Sequence, residues 1–221
     1  MLINSKIFLS GGGDIKQTFD LDKIFFNSLE SDSKILYIPI ALNRDTAGFE
    51  SCSEWFSGII DLHSGDKNIN FTMFLESDSL PDLEEYDAIY IGGGNTFKLL
   101  DYLTRSGLKD SLLKYLEGNH LLYGGSAGAI ILGDSIGTAE EENDDSYTHY
   151  KGLNIIKGCS IICHYEPKID SDILSFSEKN NQTVLALEED AGLIIDGENI
   201  ELVGNVFSFK DSNRQLLKVL K

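Results

Sequence analysis

The segment LLYGGSAGAIILG, residues 121–133, places a serine between small residues where two apolar stretches meet. Residues 124–128 read G-G-S-A-G and fit the G-x-S-x-G pattern of a serine nucleophile on a sharp strand-to-helix turn. Glycine is required on both sides because the backbone of such a turn is strained and crowded. In a plain turn the serine would only cap the next helix. A strand is predicted before Ser126 and a helix after it, which favours the nucleophile, with the N–H of Ala127 as an oxyanion donor.

A second glycine cluster, IGGGNTFKLL at residues 91–100, also ends a predicted strand and begins a predicted helix. Asn95 or Thr96 is suited to cap that helix. The cluster has no G-K-[ST] ending, and Phe97 stands where the last glycine of G-x-G-x-x-G belongs, so neither phosphate-binding pattern fits. We therefore expect the N–H of Gly94 to be a second donor to the oxyanion. A tight turn with no further role is the alternative.

A serine nucleophile needs a base, and His164 is the best placed of the histidines. It follows the apolar run in CSIICHY, residues 159–165, at the carboxyl end of a predicted strand, as both glycine clusters do. Strand alternation puts Cys163 and His164 on opposite faces, so no metal site is predicted there. The other histidines are at positions less suited to catalysis: His63, His120 and His149.

The acid that would orient this base is left open by the residue pattern. LEED, residues 187–190, ends another apolar strand and offers Glu188, Glu189 and Asp190. The acids of residues 140–145 compete for the role. Ordinary solvent-facing acids have the same appearance in a sequence.

The elements that must position these residues alternate between short apolar strands and longer amphipathic helices. Continuous apolar strands alternating with helices predict an α/β fold, a mostly parallel sheet covered on both faces, with ligands at the carboxyl ends of its strands. Three short runs at 183–189, 192–196 and 198–204 predict an antiparallel extension. The other predicted strands are 6–10, which ends in three glycines, 34–41, 70–75, 86–91, 120–124 and 159–165, and the helices lie up to about Glu30, in 49–62, in 95–118 with a break near Gly107, and in 170–180.

Composition narrows the class of protein. The 221 residues suit one domain, predicted as 1–221. Thirty-six acidic residues against eighteen basic ones give a net charge of -18, which argues against nucleic acid and anionic membrane partners. The three cysteines make no disulfide framework and suit a reducing compartment. Without a signal-like core or a long apolar stretch, the expected location is the cytoplasm.

Four segments together resemble a known family. GGGNTF (92–97), YGGSAGA (123–129), CHY (163–165) and ALEEDAGLIIDG (186–197) are similar to the serine peptidases that include aspartyl dipeptidase (peptidase E) and cyanophycinase. The resemblance runs from about residue 5 to residue 207. It implies a flavodoxin-like three-layer α/β/α fold, akin to class I glutamine amidotransferases, and a Ser–His–Glu triad in that chain order.

The resemblance also assigns roles to residues of this chain. The implied triad is Ser126, His164 and Glu189, with Glu188 as the neighbouring option for the acid. Glu141 lies near the place where the family has another candidate acid after the nucleophile. The implied oxyanion donors are the backbone N–H groups of Gly94 and Ala127. The mechanism requires no metal and no organic cofactor.

Chain order separates this family from the α/β-hydrolases, in which the acid precedes the histidine. Ser126, Asp144 and His164 would satisfy that other order. The nucleophile, however, lies past the middle of a short chain, and GGGNT has no counterpart in the hydrolases. The Ser–His–Glu assignment is therefore preferred.

The chain departs from the family where aspartyl dipeptidases are expected to bind the substrate's aspartate. In those enzymes a basic residue, typically an arginine after the base, is expected to bind the aspartate side chain. In this chain no arginine lies between His164 and Arg214, and Lys168 lacks the bidentate hydrogen-bonding fork of a guanidinium. We therefore expect a short peptide substrate, and the sequence does not specify its side chains. The alternatives are a cyanophycinase-like isopeptide hydrolase and a non-catalytic binding or regulatory protein. Both a monomer and a homodimer fit the sequence.

Overall fold

The computed structural model describes residues 3–42, 48–139, 143 and 147–217. Within these ranges no helix has both the length and the apolar character needed to cross a membrane. The helices are α1 (Phe19–Asn27), α2 (Phe49–His63), α3 (Thr96–Ser106), α4 (Leu108–Tyr115), α5 (Ala127–Ile130) and α6 (Asp170–Asn180). The strands are β1 (Lys6–Ser10), β2 (Lys34–Ile38), β3 (Asn70–Met73), β4 (Ala88–Ile91), β5 (Leu121–Gly125), β6 (Cys159–Ile162), β7 (Thr183–Leu187), β8 (Gly192–Asp196), β9 (Asn199–Val203), β10 (Val206–Lys210) and β11 (Asn213–Leu216).

The larger sheet has seven strands in the order β3-β2-β4-β5-β1-β8-β9. Its first five strands are parallel, while β8 runs antiparallel to β1 and β9 antiparallel to β8. The mostly parallel sheet predicted from sequence is confirmed, and so is the antiparallel extension for the runs at 192–196 and 198–204. The carboxyl ends of β1, β4 and β5 lie side by side, which places three glycine clusters at one edge.

Helices cover both faces of this sheet because its strands are apolar on both sides. Successive residues of each strand face opposite layers, as the period of two requires. One layer contains aromatic residues of the sheet packed on α1 and α2: Phe8, Tyr37, Tyr90 and Tyr123 against Phe25, Phe26 and Phe56. The other layer contains aliphatic residues packed on α3 and α4: Leu9, Leu36, Ile89 and Leu122 against Leu99, Leu103 and Leu112.

A second sheet was not predicted. It has four strands in the order β11-β10-β7-β6, and β6 and β7 are parallel. The run at 183–189 was expected in the antiparallel extension of the first sheet, and this expectation was wrong. Strand β7 is buried on both faces: Leu185 and Leu187 pack into the main core, whereas Val184 and Ala186 pack under α6. A strand buried on both faces has a continuous apolar sequence in either sheet, so its pattern does not indicate which sheet it joins.

A buried carboxylate connects α1 to the centre of the larger sheet. Asp22 is fully buried, and its Oδ1 accepts a hydrogen bond of 2.6 Å from the hydroxyl of Tyr123. Its Oδ2 accepts one of 2.7 Å from the hydroxyl of Thr18. Burial raises the pKa of Asp22, and the two hydrogen bonds oppose that rise. The stability of the buried carboxylate therefore depends on both hydrogen-bond donors.

We expect Tyr123→Phe to lower the free energy of unfolding by about 2 kcal/mol at pH 7, because it removes a donor from a buried acceptor. Urea denaturation monitored by circular dichroism measures this. Tyr115→Phe is the matched control, since this equally buried tyrosine donates to a neutral carbonyl, that of Tyr86, at 3.1 Å. Its expected loss is about 1 kcal/mol. Equal losses for the two variants at every pH would contradict a charge-assisted bond to Asp22.

Candidate active site

Ser126 lies at the turn between β5 and α5 in a strained conformation, with φ 48° and ψ -111°. The turn is tight on both sides. A Cβ on Gly124 would lie 2.6 Å from the carbonyl oxygen of Gly128, and a Cβ on Gly128 would lie 2.4 Å from that of Ile91. Only glycine fits at either position, which is the steric reason for the G-x-S-x-G spacing.

The helix after Ser126 is shorter than the sequence predicts. Residues 127–133 were expected to begin a full helix, but α5 has four residues. The N–H groups of Leu132 and Gly133 bond to carbonyls three residues back, which closes the segment with tighter turns. The electrostatic field of a long helix dipole therefore does not act at this site. The N–H of Ala127 stays the predicted donor at this end of the oxyanion site.

The three residues of the implied triad lie within hydrogen-bonding distance of one another. Ser126 Oγ is 2.9 Å from His164 Nε2, and His164 Nδ1 is 3.2 Å from Glu189 Oε1. Ser126 is buried, whereas the side chains of His164 and Glu189 are 44% and 48% exposed. The arrangement suits a base that removes the hydroxyl proton and an acid that orients the base.

The competing acids do not share this geometry. Glu188 turns away from His164, and its Oε2 accepts a hydrogen bond of 2.9 Å from the side chain of Asn205. Glu141 and Asp144 lie outside the described residues. Of the acids offered by LEED, Glu189 is the one that contacts His164.

His164 lies beyond the strand on which it was predicted. Strand β6 ends at Ile162, and His164 has a φ of 53°. Its N–H donates to the carbonyl of Gly11 at 3.0 Å. The alternation argument for Cys163 and His164 therefore fails at this point, because the ladder has already ended. A left-handed turn, not the pleat, directs the imidazole to Ser126.

The glycines after β1 form a part of the site that the sequence analysis gave no role. Gly12 has a φ of 95°, and a Cβ there would lie 2.7 Å from Ser126 Cβ and 2.8 Å from His164 Nε2. A Cβ on Gly13 would lie 2.6 Å from the carbonyl oxygen of Glu189. Three consecutive glycines at the carboxyl edge of the sheet were the available signal. Their contacts are long-range, so the pattern alone did not reveal them.

The second predicted glycine cluster lies beside the serine, with one difference from expectation. Asn95 caps α3, as predicted, by accepting a hydrogen bond of 2.9 Å from the N–H of Lys98. Gly93 is the neighbour of the nucleophile, since a Cβ there would lie 3.1 Å from Ser126 Cβ. Gly94 has a φ of 129° and packs closely against Ala41. Donation from Gly94 to an oxyanion stays a prediction.

Glu189 is held by a residue that the sequence analysis did not consider. Gln17 Nε2 donates to Glu189 Oε2 at 2.7 Å, while Gln17 Oε1 accepts from the N–H of Asp14 at 2.9 Å. The hydrogen bond from Gln17, followed by that from His164, lowers the pKa of Glu189 below its usual range. Gln17 is therefore placed to keep the carboxylate ionised and directed at His164, and we predict that it acts as a positioning residue.

Comparisons with known proteins agree with the family resemblance found in the sequence. The family model described as Peptidase family S51 matches residues 7–203. Peptidase E of Streptomyces coelicolor is 31% identical over 137 residues, and this alignment covers 58% of this chain but only 56% of that relative. Peptidase E of Shewanella denitrificans is 25% identical over 187 residues, which are 80% of this chain and 77% of that relative.

A solved structure agrees with the fold. The crystal structure of a peptidase from an acI-B1 Actinobacterium matches with a TM-score of 0.70 at 18% identity, covering 99% of this chain and 96% of that one. At this identity the likeness concerns the fold. It supports the three-layer α/β/α arrangement that the sequence resemblance implies.

We expect Gly12→Ala to slow the reaction of Ser126 with a fluorophosphonate probe by about 100-fold or more, because the added methyl must displace the imidazole. The rate of labelling measures this. Gly107→Ala is the matched control, with a φ of 82° and with the nearest atom to an added Cβ, Leu80 Cδ1, 4.0 Å away. That variant has a comparable backbone penalty and should label normally. Equal losses in both variants would contradict steric contact as the cause.

We expect Gln17→Ala to raise the pKa of Glu189 toward its ordinary value, because the carboxylate loses its main donor. Labelling of Ser126 should slow about two- to tenfold, and more at acidic pH, where Glu189 would take up a proton. A pH profile of labelling and a carbon-13 titration of the Glu189 carboxyl measure the two effects. Gln215→Ala, an exposed glutamine on β11, is the control. An unchanged titration of Glu189 would refute the positioning role.

Proposed function

This chain belongs to peptidase family S51, and on that premise we propose that it is a serine peptidase that hydrolyses dipeptides or other short peptides. The observation that carries the proposal is the continuous hydrogen-bonded path Ser126–His164–Glu189, with distances of 2.9 and 3.2 Å. The strained φ of Ser126 supports it, because such strain is typical of a nucleophile on a turn.

Acylation begins with proton transfer from Ser126 Oγ to His164 Nε2. The oxygen attacks the peptide carbonyl, and the developing oxyanion is held by the backbone N–H groups of Ala127 and Gly94. Loss of one such donor typically slows the reaction about 100- to 1,000-fold. His164 then protonates the leaving amine, and the acyl group stays on Ser126.

Deacylation repeats these steps with water. His164 accepts a proton from a water molecule, which attacks the ester, and then returns the proton to Ser126 Oγ as the acid product leaves. Glu189 is ionised throughout because its pKa is lowered, so it stabilises the imidazolium that forms in both halves of the cycle.

Neither Lys168 nor Arg214, the two cations after the base that the sequence singles out, supports an aspartyl preference. Lys168 Nζ pairs with Glu166 at 2.8 Å and is largely exposed. Arg214 pairs with Asp170 at 3.5 Å, and its guanidinium lies 4.2 Å from the ring centre of Phe207. Each charge is already balanced by an acid. The proposal therefore names short peptides without an acidic side chain at the cleavage point.

The two alternatives predict other outcomes for the same site. A cyanophycinase-like hydrolase would use the same triad on an isopeptide bond, so the substrate alone distinguishes it. A binding protein would not need Ser126 to react. Because the triad combines residues from 126 to 189, we propose one catalytic domain. We further propose that it acts in the cytoplasm, as a monomer or a homodimer.

We expect a fluorophosphonate probe to label the wild-type protein, with the adduct on Ser126, and to fail with Ser126→Ala and His164→Ala. The reason is that the hydroxyl reacts only when the imidazole accepts its proton. Intact-mass spectrometry and peptide mapping measure the adduct.

Ser171→Ala and His149→Ala are the matched controls, because both residues are exposed and neither lies in the proposed triad. These variants should label at the wild-type rate. Labelling that survives Ser126→Ala, together with no hydrolysis of any dipeptide by the wild type, would favour the binding protein.

A further inference from the structure

A cleft of about 330 Å³ opens directly beside the nucleophile. Ser126 and Gly93 form one of its sides, and an aromatic wall forms another. The wall consists of Tyr37 and Tyr90, which are buried in the sheet, and Trp55 from α2, which is 43% exposed. The volume is at the small end of the range for ligand sites and suits one side chain better than a long polymer.

The aromatic wall is held rigidly by its own packing. The Trp55 ring lies 6.0 Å from the ring of Tyr37 and 6.2 Å from that of Tyr90, measured between ring centres. Tyr37 also stacks on Phe56 at 4.4 Å, which fixes it to α2. The exposed face of Trp55 is therefore a preformed apolar surface, and its use costs little conformational entropy.

The cleft provides no charge for an ionic side chain among its described lining residues. Its polar side-chain groups are the thiol of Cys52 and uncharged hydroxyls, on Ser10, Thr18, Ser51, Ser126 and the two wall tyrosines. Asp22 lies behind this lining, and hydrogen bonds from Thr18 and Tyr123 already occupy its two oxygens. An aspartate or arginine side chain would lose water there without gaining a charged partner from the described lining residues, which is costly.

The position of the cleft identifies which substrate residue it receives. The residue that acylates Ser126 stays bonded to Oγ, so its side chain must lie next to the serine. The leaving residue departs toward His164, which protonates its amine. Ser126 lines the cleft, and His164 is not among its described lining residues.

We infer that this cleft binds an apolar, preferentially aromatic, side chain on the residue whose carbonyl is attacked. The inference rests on the proposed peptidase function and names its substrate class. It makes Trp55 a specificity-determining residue. Among the described lining residues, none offers a charged partner to an aspartyl or an arginyl side chain.

The first experiment uses dipeptides that differ only in the acyl residue, because glycine as the leaving residue brings no side chain of its own. Phe-Gly, Leu-Gly, Ala-Gly, Asp-Gly and Arg-Gly are compared by chromatography of released glycine. We expect kcat/KM for Phe-Gly to exceed that for Ala-Gly about 30-fold, as burial of an aromatic side chain predicts. Asp-Gly and Arg-Gly should be poorer than Ala-Gly.

The second experiment removes the exposed part of the wall. Trp55→Ala should lower kcat/KM for Phe-Gly about tenfold and change that for Ala-Gly by less than about twofold. Phe49→Ala is the matched control, because Phe49 is a 53% exposed aromatic on the same helix that does not line the cleft. Equal effects of the two substitutions, or equal loss for both dipeptides, would overturn the role of Trp55.

A binding measurement separates failure of this inference from failure of the proposed function. Calorimetry with Ser126→Ala should show tighter binding of Phe-Gly than of Asp-Gly, whether or not the wild type turns over. Ser126-dependent hydrolysis that is fastest with Asp-Gly, Arg-Gly or Ala-Gly overturns the inference and leaves the peptidase standing. If no dipeptide is hydrolysed, preferential binding of Phe-Gly supports the cleft assignment, and indifferent binding overturns it.

Discussion

The candidate active site depends on how closely a stretch of bare backbone approaches two separate loops, those that follow β6 and β7. Gly11 donates to the carbonyl of Ala191 and accepts from the N–H of His164, and Gly13 donates to the carbonyl of Glu189. A Cβ on Gly11 would lie 1.8 Å from the carbonyl oxygen of Glu188, so these hydrogen bonds form only because glycine has no Cβ. The end of β1 thereby fixes the base and the acid relative to the serine, and the triad distances follow from this constraint.

The sequence predicted what local patterns encode. The glycine neighbours of Ser126 predicted its tight strand-to-helix turn, and apolar runs between helices predicted the parallel strands. The residue pattern alone left the choice between Glu188 and Glu189 open, and only the family resemblance favoured Glu189. The contacts that distinguish the two involve Asn205 and Gln17, which are distant along the chain. The second sheet was missed for the same reason: the partners of β7 are set by packing on both of its faces, and a strand's apolar pattern does not name its partners.

The aromatic layer of the core and the proposed specificity cleft are parts of one structure. Tyr37 and Tyr90 alternate with aliphatic residues on β2 and β4 and so face α1 and α2. At the carboxyl edge of the sheet the same residues reach the space beside Ser126. A substitution that enlarges the cleft or changes its charge therefore also alters the packing of α2 on the sheet. Stability and specificity are thus not free to change independently.

The division of the proposed triad between two sheets has a consequence for mutations far from the chemistry. Ser126 follows β5 of the larger sheet, whereas His164 and Glu189 follow β6 and β7 of the smaller one. Leu185 and Leu187 join the two in a shared core. Displacing a catalytic group by about 1 Å can cost about 100-fold in rate. Repacking of a leucine at this boundary would thus lower the catalytic rate, although the protein still folds and keeps every residue of the proposed triad.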